Sequence, residues 1–192
     1  MAIDLELFRL INGVAGRFPL LDGVMRLLVN EYFVPTAMAL ILFALWFEGA
    51  MPQERERHQR AAIYAVVTLL FANALVKLCN LFFFRPRPFA SHAVNLLFYQ
   101  PTDSSFPSNP AVVGFSLATA IWLSNRRLGT LFYILAALFA IARVYCGVHY
   151  PSDIIGGAFI GMACGFLIKR YNKLLEPLVR LVIATGRRLF LA

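Results

Sequence analysis

Long apolar runs separated by short clusters of charge make up most of this chain. A bilayer core of about 30 Å takes roughly 20 apolar residues to cross as helix. Five runs meet or approach that length: 32–47, 61–84, 111–123, 128–146 and 154–168. The third is short, so its end is expected inside protein rather than lipid. Two flanks differ. Residues 1–28 mix apolar positions with Asp4, Glu6, Arg9, Arg17, Asp22 and Arg26 and are broken by Gly13, Gly16 and Pro19. Residues 171–191 place Leu174, Leu178, Leu181 and Val182 at helical spacing among Lys173, Arg180, Arg187 and Arg188. Both flanks read as helices lying in the membrane interface. The pattern predicts one all-α domain over 1–192, an integral membrane helical bundle of about five transmembrane helices. Within it, 1–28 is an interfacial segment, 29–170 the transmembrane bundle and 171–192 a basic amphipathic tail.

Composition agrees: 60% of the 192 residues are hydrophobic and 15% charged, where soluble domains run near ~45–50% and ~25%. A net charge of +8 would suit nucleic acid if it lay on one face of a soluble domain. Here the basic residues sit between apolar runs, as at the cytoplasmic ends of membrane spans, so no nucleic-acid partner is expected. Residues 51–60, 125–127 and 169–188 hold 11 of the 18 Lys and Arg residues. With five spans these regions share one side, the cytoplasmic one, and the N-terminus, the loop 85–110 and the turn 147–152 face outward. Asp4 and Glu6 and the lack of a basic start argue against a cleavable signal peptide. Cys79, Cys146 and Cys164 form no CxxC pair; they read as small packing residues, with no metal site expected.

The polar residues left on the outer side fall in three clusters, each at the end of a predicted span. The first is Lys77, Asn80, Arg85, Pro86, Arg87 and Pro88. A lysine inside an apolar helix costs a few kcal/mol and normally faces the bundle interior, while the prolines hold the arginines in extended backbone. The second is 104–110, where Ser108 or Asn109 suits a helix cap and Pro110 its first turn. Such a helix start, with free N–H groups and a positive dipole end, favours an anion. The third runs Arg143, His149, Asp153, with Asp153 four residues past the histidine. A carboxylate there can accept the imidazole N–H, fix the tautomer and raise the basicity of the other nitrogen, which is how a nucleophile is activated. Arg87, Arg143 and Lys77 converging would repel one another without an anion, and Arg forks match phosphate oxygens. The chemistry points to an outward-facing phosphate site with His149 as candidate nucleophile.

At these residues the chain resembles the membrane branch of the type 2 phosphatidic acid phosphatase superfamily, and within it the bacitracin-resistance type of undecaprenyl-diphosphatase. The likeness covers nearly the whole chain, through Arg-Pro-Arg-Pro-Phe at 85–89, Ser-Phe-Pro-Ser at 105–108 and the spacing of Arg143, His149 and Asp153. It implies a helical bundle in the bacterial cytoplasmic membrane, a site on the outer face, and neither metal nor other cofactor. It also implies His149 as a nucleophile forming phosphohistidine, Asp153 as its orienting group, and Arg87, Arg143 and Ser108 as ligands of the phosphoryl oxygens. Lys77 and Arg85 join them as further phosphate-binding candidates.

Three positions depart from that family's pattern. Asn80 stands where its first motif has Lys, with Lys77 one helical turn earlier. Ala142 replaces the usual Ser before Arg143. Pro110 replaces the second-motif His, which would protonate the leaving oxygen and then activate water. An alkoxide leaving group needs that proton; a phosphate leaving group, with a pKa near ~6, needs it far less. The expectation is therefore outer-face hydrolysis of a polyprenyl (undecaprenyl) diphosphate to the monophosphate, slowed by loss of the acid. His92 is the other histidine of that outer loop, and a solvated loop residue is its simpler reading. The competing class is a non-catalytic lipid-phosphate binder or transporter, or an inactivated variant of such an enzyme. The partners implied are a lipid diphosphate and membrane lipids.

Overall fold

The computed structural model describes residues 2–189, which form nine helices. The last two positions of the predicted segment 171–191 lie outside the described residues. In chain order the helices are α1 (Ala2–Asn12), α2 (Pro19–Val29), α3 (Phe33–Phe47), α4 (Pro52–Phe82), α5 (Pro88–Ser91), α6 (Asn109–Trp122), α7 (Arg126–Tyr145), α8 (Pro151–Arg170) and α9 (Asn172–Arg188). The five apolar runs are α3, α4, α6, α7 and α8.

Three of them, α4, α7 and α8, are long and apolar enough to cross a membrane alone. The expected first span is different. α3 meets that test only together with α2, the two bent by 56° at a short break. Asn30 makes the break: its Oδ1 accepts from the N–H groups of Tyr32 and Phe33, at 2.9 and 3.2 Å, and so starts α3 on a new axis. Segment 1–28 therefore divides into α1 and α2, and α2 forms a bent pair with α3.

α6 is the centre of the bundle. Ala111, Val112, Leu117, Ala118, Ala120 and Ile121 are all buried, and α4, α7 and α8 pack around it. Packing against α8 depends on close backbone approach. A Cβ on Gly161 would stand 2.8 Å from both Val112 O and Ser116 N, and one on Gly157 2.6 Å from Ser108 O. Small residues at that spacing let helix axes close together where lipid offers no hydrophobic drive. The outward faces carry exposed Leu40, Phe43, Leu70, Phe82, Ile155 and Phe159, a surface suited to acyl chains rather than water.

Connectivity puts the start of α4, the α6–α7 turn and the end of α8, with their basic clusters, at one end of the bundle. The loop 83–108, the start of α6 and the α7–α8 turn share the other end. α9 docks at the basic end: Val179 and Ile183 are buried against Ile63, Trp46 and Val67. Arg60 pairs with Glu176 at 2.8 Å and Arg187 with Glu56 at 3.0 Å. The tail is thus a docked amphipathic helix.

Candidate active site

α7 ends at Tyr145, and the chain must reverse within five residues to begin α8 at Pro151. Gly147 makes the reversal with φ +86°, and a Cβ there would crowd the Asn12 side chain and Asn95 O at 3.2 Å. Val148 N–H donates back to Arg143 O at 3.1 Å. This tight turn puts His149 wholly inside the protein, and Asp153, in the first turn of α8, is buried as completely.

The protonation of His149 follows from its neighbours. Arg87 Nη1 lies 3.1 Å from Nε2. A guanidinium can only donate, so Nε2 is the accepting, unprotonated nitrogen. Nδ1 then carries the proton and donates to the Ser105 carbonyl at 2.9 Å. Burial first, and then the charges of Arg143 and Arg87, pull the imidazole from 6.5 down to about 4, against the opposing effect of Asp153. The ring is neutral at neutral pH and keeps its Nε2 lone pair, as a nucleophile requires.

The sequence expectation that Asp153 accepts the imidazole N–H is corrected. Asp153 Oδ2 lies 3.7 Å from Nδ1 and is occupied by the Ser105 hydroxyl at 2.5 Å and the Tyr150 N–H at 2.8 Å. The geometric reason is that this carboxylate folds back to cap its own helix. Ser105 stands between: its carbonyl holds the ring, and its hydroxyl, 3.5 Å from Nδ1, holds the carboxylate.

Arg87 and Arg143 line one cavity of about 310 Å³, lined also by Glu31, Tyr99, Asp103 and Pro110. Arg87 is fixed by Asp103, which accepts from Nη2 at 2.8 Å and, through its backbone, from Nε at 3.1 Å. Arg143 donates to Val29 O at 3.1 Å and faces Glu31 at 3.5 Å. Each arginine therefore has its own carboxylate. Among the described residues two buried side-chain polar atoms lack partners, the Nε of Arg143 and the Oγ of Ser108. Ser108 precedes α6 as its cap residue but makes no side-chain cap bond; its N–H donates to Asp153 O at 3.1 Å instead. Unsatisfied buried donors cost about 1–3 kcal/mol each, and phosphoryl oxygens would satisfy both.

Two phosphate candidates fall elsewhere. Arg85 is consumed by carboxylates, donating to Asp153 Oδ1 at 2.6 Å, Ser152 Oγ at 2.7 Å and Asp4 Oδ2 at 2.7 Å. It ties the N-terminal helix to the α8 start. Lys77 is exposed, not turned into the bundle. The buried stripe of α4 runs through Ala65, Thr68, Ala72 and Val76, and the next residue is rotated about 100° away. Asn80 is exposed beside it, and Ala142 packs in the core with Tyr145 and Val148. His92 packs edge-on against Tyr150 rather than lining the cavity.

Sequence reasoning missed Glu31, Asp103, Tyr99 and Asp4. Asp4 accepts from the Ser152 N–H at 2.9 Å and hydroxyl at 2.6 Å, 148 residues away. The cavity also adjoins a larger apolar groove of about 1000 Å³ between α3 and α4, lined by Phe43, Trp46, Val66 and Leu70 among others; the two share Glu31, Pro35 and Val113.

Comparison with known proteins bears on this arrangement. The PAP2 superfamily matches residues 61–176. Undecaprenyl-diphosphatase BcrC of Bacillus subtilis (strain 168) is 32% identical over 181 residues, covering 94% of this chain and 90% of that protein. The bacitracin transport permease protein BcrC of Bacillus licheniformis is 28% identical over 86% of this chain and 79% of that one. The crystal structure of Aquifex aeolicus LpxE superposes with a TM-score of 0.70 at 32% identity, over 89% of this chain and 97% of that chain.

Proposed function

This chain belongs to the PAP2 superfamily, and from that membership and its site we propose that it is a lipid phosphatase that hydrolyses a polyprenyl diphosphate, of the undecaprenyl type, to the monophosphate. The observation that carries the reading is His149 itself: neutral, buried, locked by Ser105 O on one nitrogen and facing Arg87 with the other. In the proposed reaction Nε2 attacks the terminal phosphorus, the bond to the bridging oxygen breaks, and the lipid monophosphate leaves with the electron pair. Arg87, Arg143 and the Ser108 hydroxyl bind the phosphoryl oxygens, whose charge is what such a site chiefly has to stabilise. The leaving monophosphate, with a pKa near ~6, departs without a proton donor, which makes the reaction compatible with Pro110. The apolar groove adjoining the cavity supports a lipid substrate, its tail along α3 and α4 and its headgroup at Arg143.

The basic clusters at the far end of the bundle support placing the site on the outer face of the cytoplasmic membrane. A Cys at Ser104 should then be labelled from outside in intact cells.

Pro110 favours a second reading, a binder or transporter that keeps the pocket without turnover. Phosphate release from farnesyl diphosphate separates the two. Release by the purified chain that is lost in His149→Ala supports the enzyme; release from neither the native chain nor Pro110→His leaves the binder.

A further inference from the structure

Hydrolysis through a phosphohistidine has a second half, in which water must add to phosphorus and give up a proton. Residue 110, where the resemblance would bring a base, is proline. The cavity that Pro110 lines holds two carboxylates, Asp103 and Glu31. Asp103 is held by Arg87, its carboxylate accepting from Nη2 and its backbone carbonyl from Nε; its side chain is 61% exposed, and its work is to aim that guanidinium. Glu31 is placed differently. It stands in the break between α2 and α3, which brings it over the start of α6 to the same cavity as Pro110 and Asn109. Its Oε1 is 3.5 Å from Arg143 Nη2, longer than the 2.8 Å between Asp103 and Arg87, so it keeps acceptor capacity. Tyr99 lines the same cavity. Beside Glu31 lies the Arg143 guanidinium, 1% exposed, whose Nε has no hydrogen-bond partner and is free to meet a phosphoryl oxygen.

We propose that Glu31 is the general base of the dephosphorylation step, taking over the work that the missing histidine would do. A water between Glu31 and the phosphohistidine gives a proton to the Glu31 carboxylate while its oxygen bonds to phosphorus. The Nε2–P bond breaks and its electron pair returns to Nε2, so His149 is again neutral with its proton on Nδ1. Glu31, 39% exposed at the cavity mouth, then passes the proton to solvent. The half-reaction that lacks a phosphate leaving group is the one that needs a base.

This inference rests on the diphosphatase reading, and the test tells their failures apart. The full chain in detergent is given farnesyl diphosphate labelled in its terminal phosphate; released phosphate and acid-labile phosphate on the protein are followed by rapid quench. Glu31→Gln should lower kcat by at least roughly tenfold and accumulate label on the protein. Adding His149→Ala should remove that label, and adding Pro110→His should restore turnover. A lowered KM with kcat intact and no label would make Glu31 merely the counter-ion of Arg143 and overturn the proposal. A Glu31→Gln loss without label, unrescued by Pro110→His, overturns it as well. If the native chain releases no phosphate and takes no label, the diphosphatase reading fails first and this inference with it.

Discussion

The Asp153 carboxylate stands 3.7 Å from Nδ1 of His149, one serine short of contact. Where a carboxylate alone holds a catalytic histidine in the right tautomer, replacing it by the amide costs about 10⁴-fold. Here the Ser105 carbonyl already fixes the tautomer, so Asp153→Asn should cost less, roughly 10- to 100-fold in kcat for isoprenoid diphosphate hydrolysis. Ser105→Ala keeps the carbonyl and loses one hydroxyl contact, worth about 1 kcal/mol, or roughly fivefold in rate. Steady-state rates of both beside His149→Ala check the order; an Asp153→Asn enzyme as dead as His149→Ala would contradict it.

The pH dependence follows from burial of the same ring. Between 6.5 and about 4 the unfolded chain binds a proton at His149 and the folded chain does not. The folded state therefore loses stability as pH falls through that window, and the group contributes nothing above it. The nucleophile stays unprotonated over the same range. Phosphoenzyme formation measured against pH should keep its rate below 6.5 and fall only as pH approaches the lower value. An acid limb centred on 6.5 would mean that the imidazole is solvated.

Much of the fold was legible because lipid forces it: a buried helix in a membrane must be apolar over its length, and apolar runs mark α3, α4, α6, α7 and α8, although only three of these are long and apolar enough to cross alone. The polar clusters were legible for the converse reason, since polar residues at the ends of apolar runs are sparse enough to notice. Partner choice was not. Asp4 and Glu31 belong to segments whose charges read alike whether they face lipid headgroups or an arginine far along the chain. Lys77 misled for a physical reason. It lies within two turns of the end of α4 at Phe82, close enough for its amine to reach the interface along its own stem, so the expectation that a charge in a span faces inward does not bind it. Lys77→Ala should accordingly stay within about twofold of native activity, whereas Arg143→Ala should lose roughly 10²–10³-fold. Equal losses in the two variants would put the lysine back in the site.

Stability rests heavily on the contact between α6 and α8, where no side chain fits at Gly161. Gly161→Val would drive a branched side chain against the α6 backbone at Val112 and Ser116. Overpacking of that kind costs about 1–3 kcal/mol. Because the same helix pair carries Ser108 and Asp153, joined by the bond from Ser108 N–H to Asp153 O, activity should fall alongside thermal stability in detergent. A variant with native melting but lost activity would place the effect in the site alone.

The last prediction concerns which phosphate bond is cut. With Pro110 lining the cavity, the only leaving groups that depart readily are those that need no proton. Farnesyl diphosphate, which releases a monophosphate of pKa near ~6, should be hydrolysed far faster than farnesyl monophosphate, which must release an alkoxide. Pro110→His supplies a proton donor at the start of α6. It should raise monophosphate hydrolysis by up to roughly 10²–10⁴-fold, the usual worth of general acid catalysis, and diphosphate hydrolysis much less. The preference for diphosphate should therefore narrow in that variant, read as the ratio of kcat/KM for the two substrates. A native chain that hydrolyses both equally well would show that a proton reaches the leaving oxygen by another route, and that the proline is no filter on the substrate.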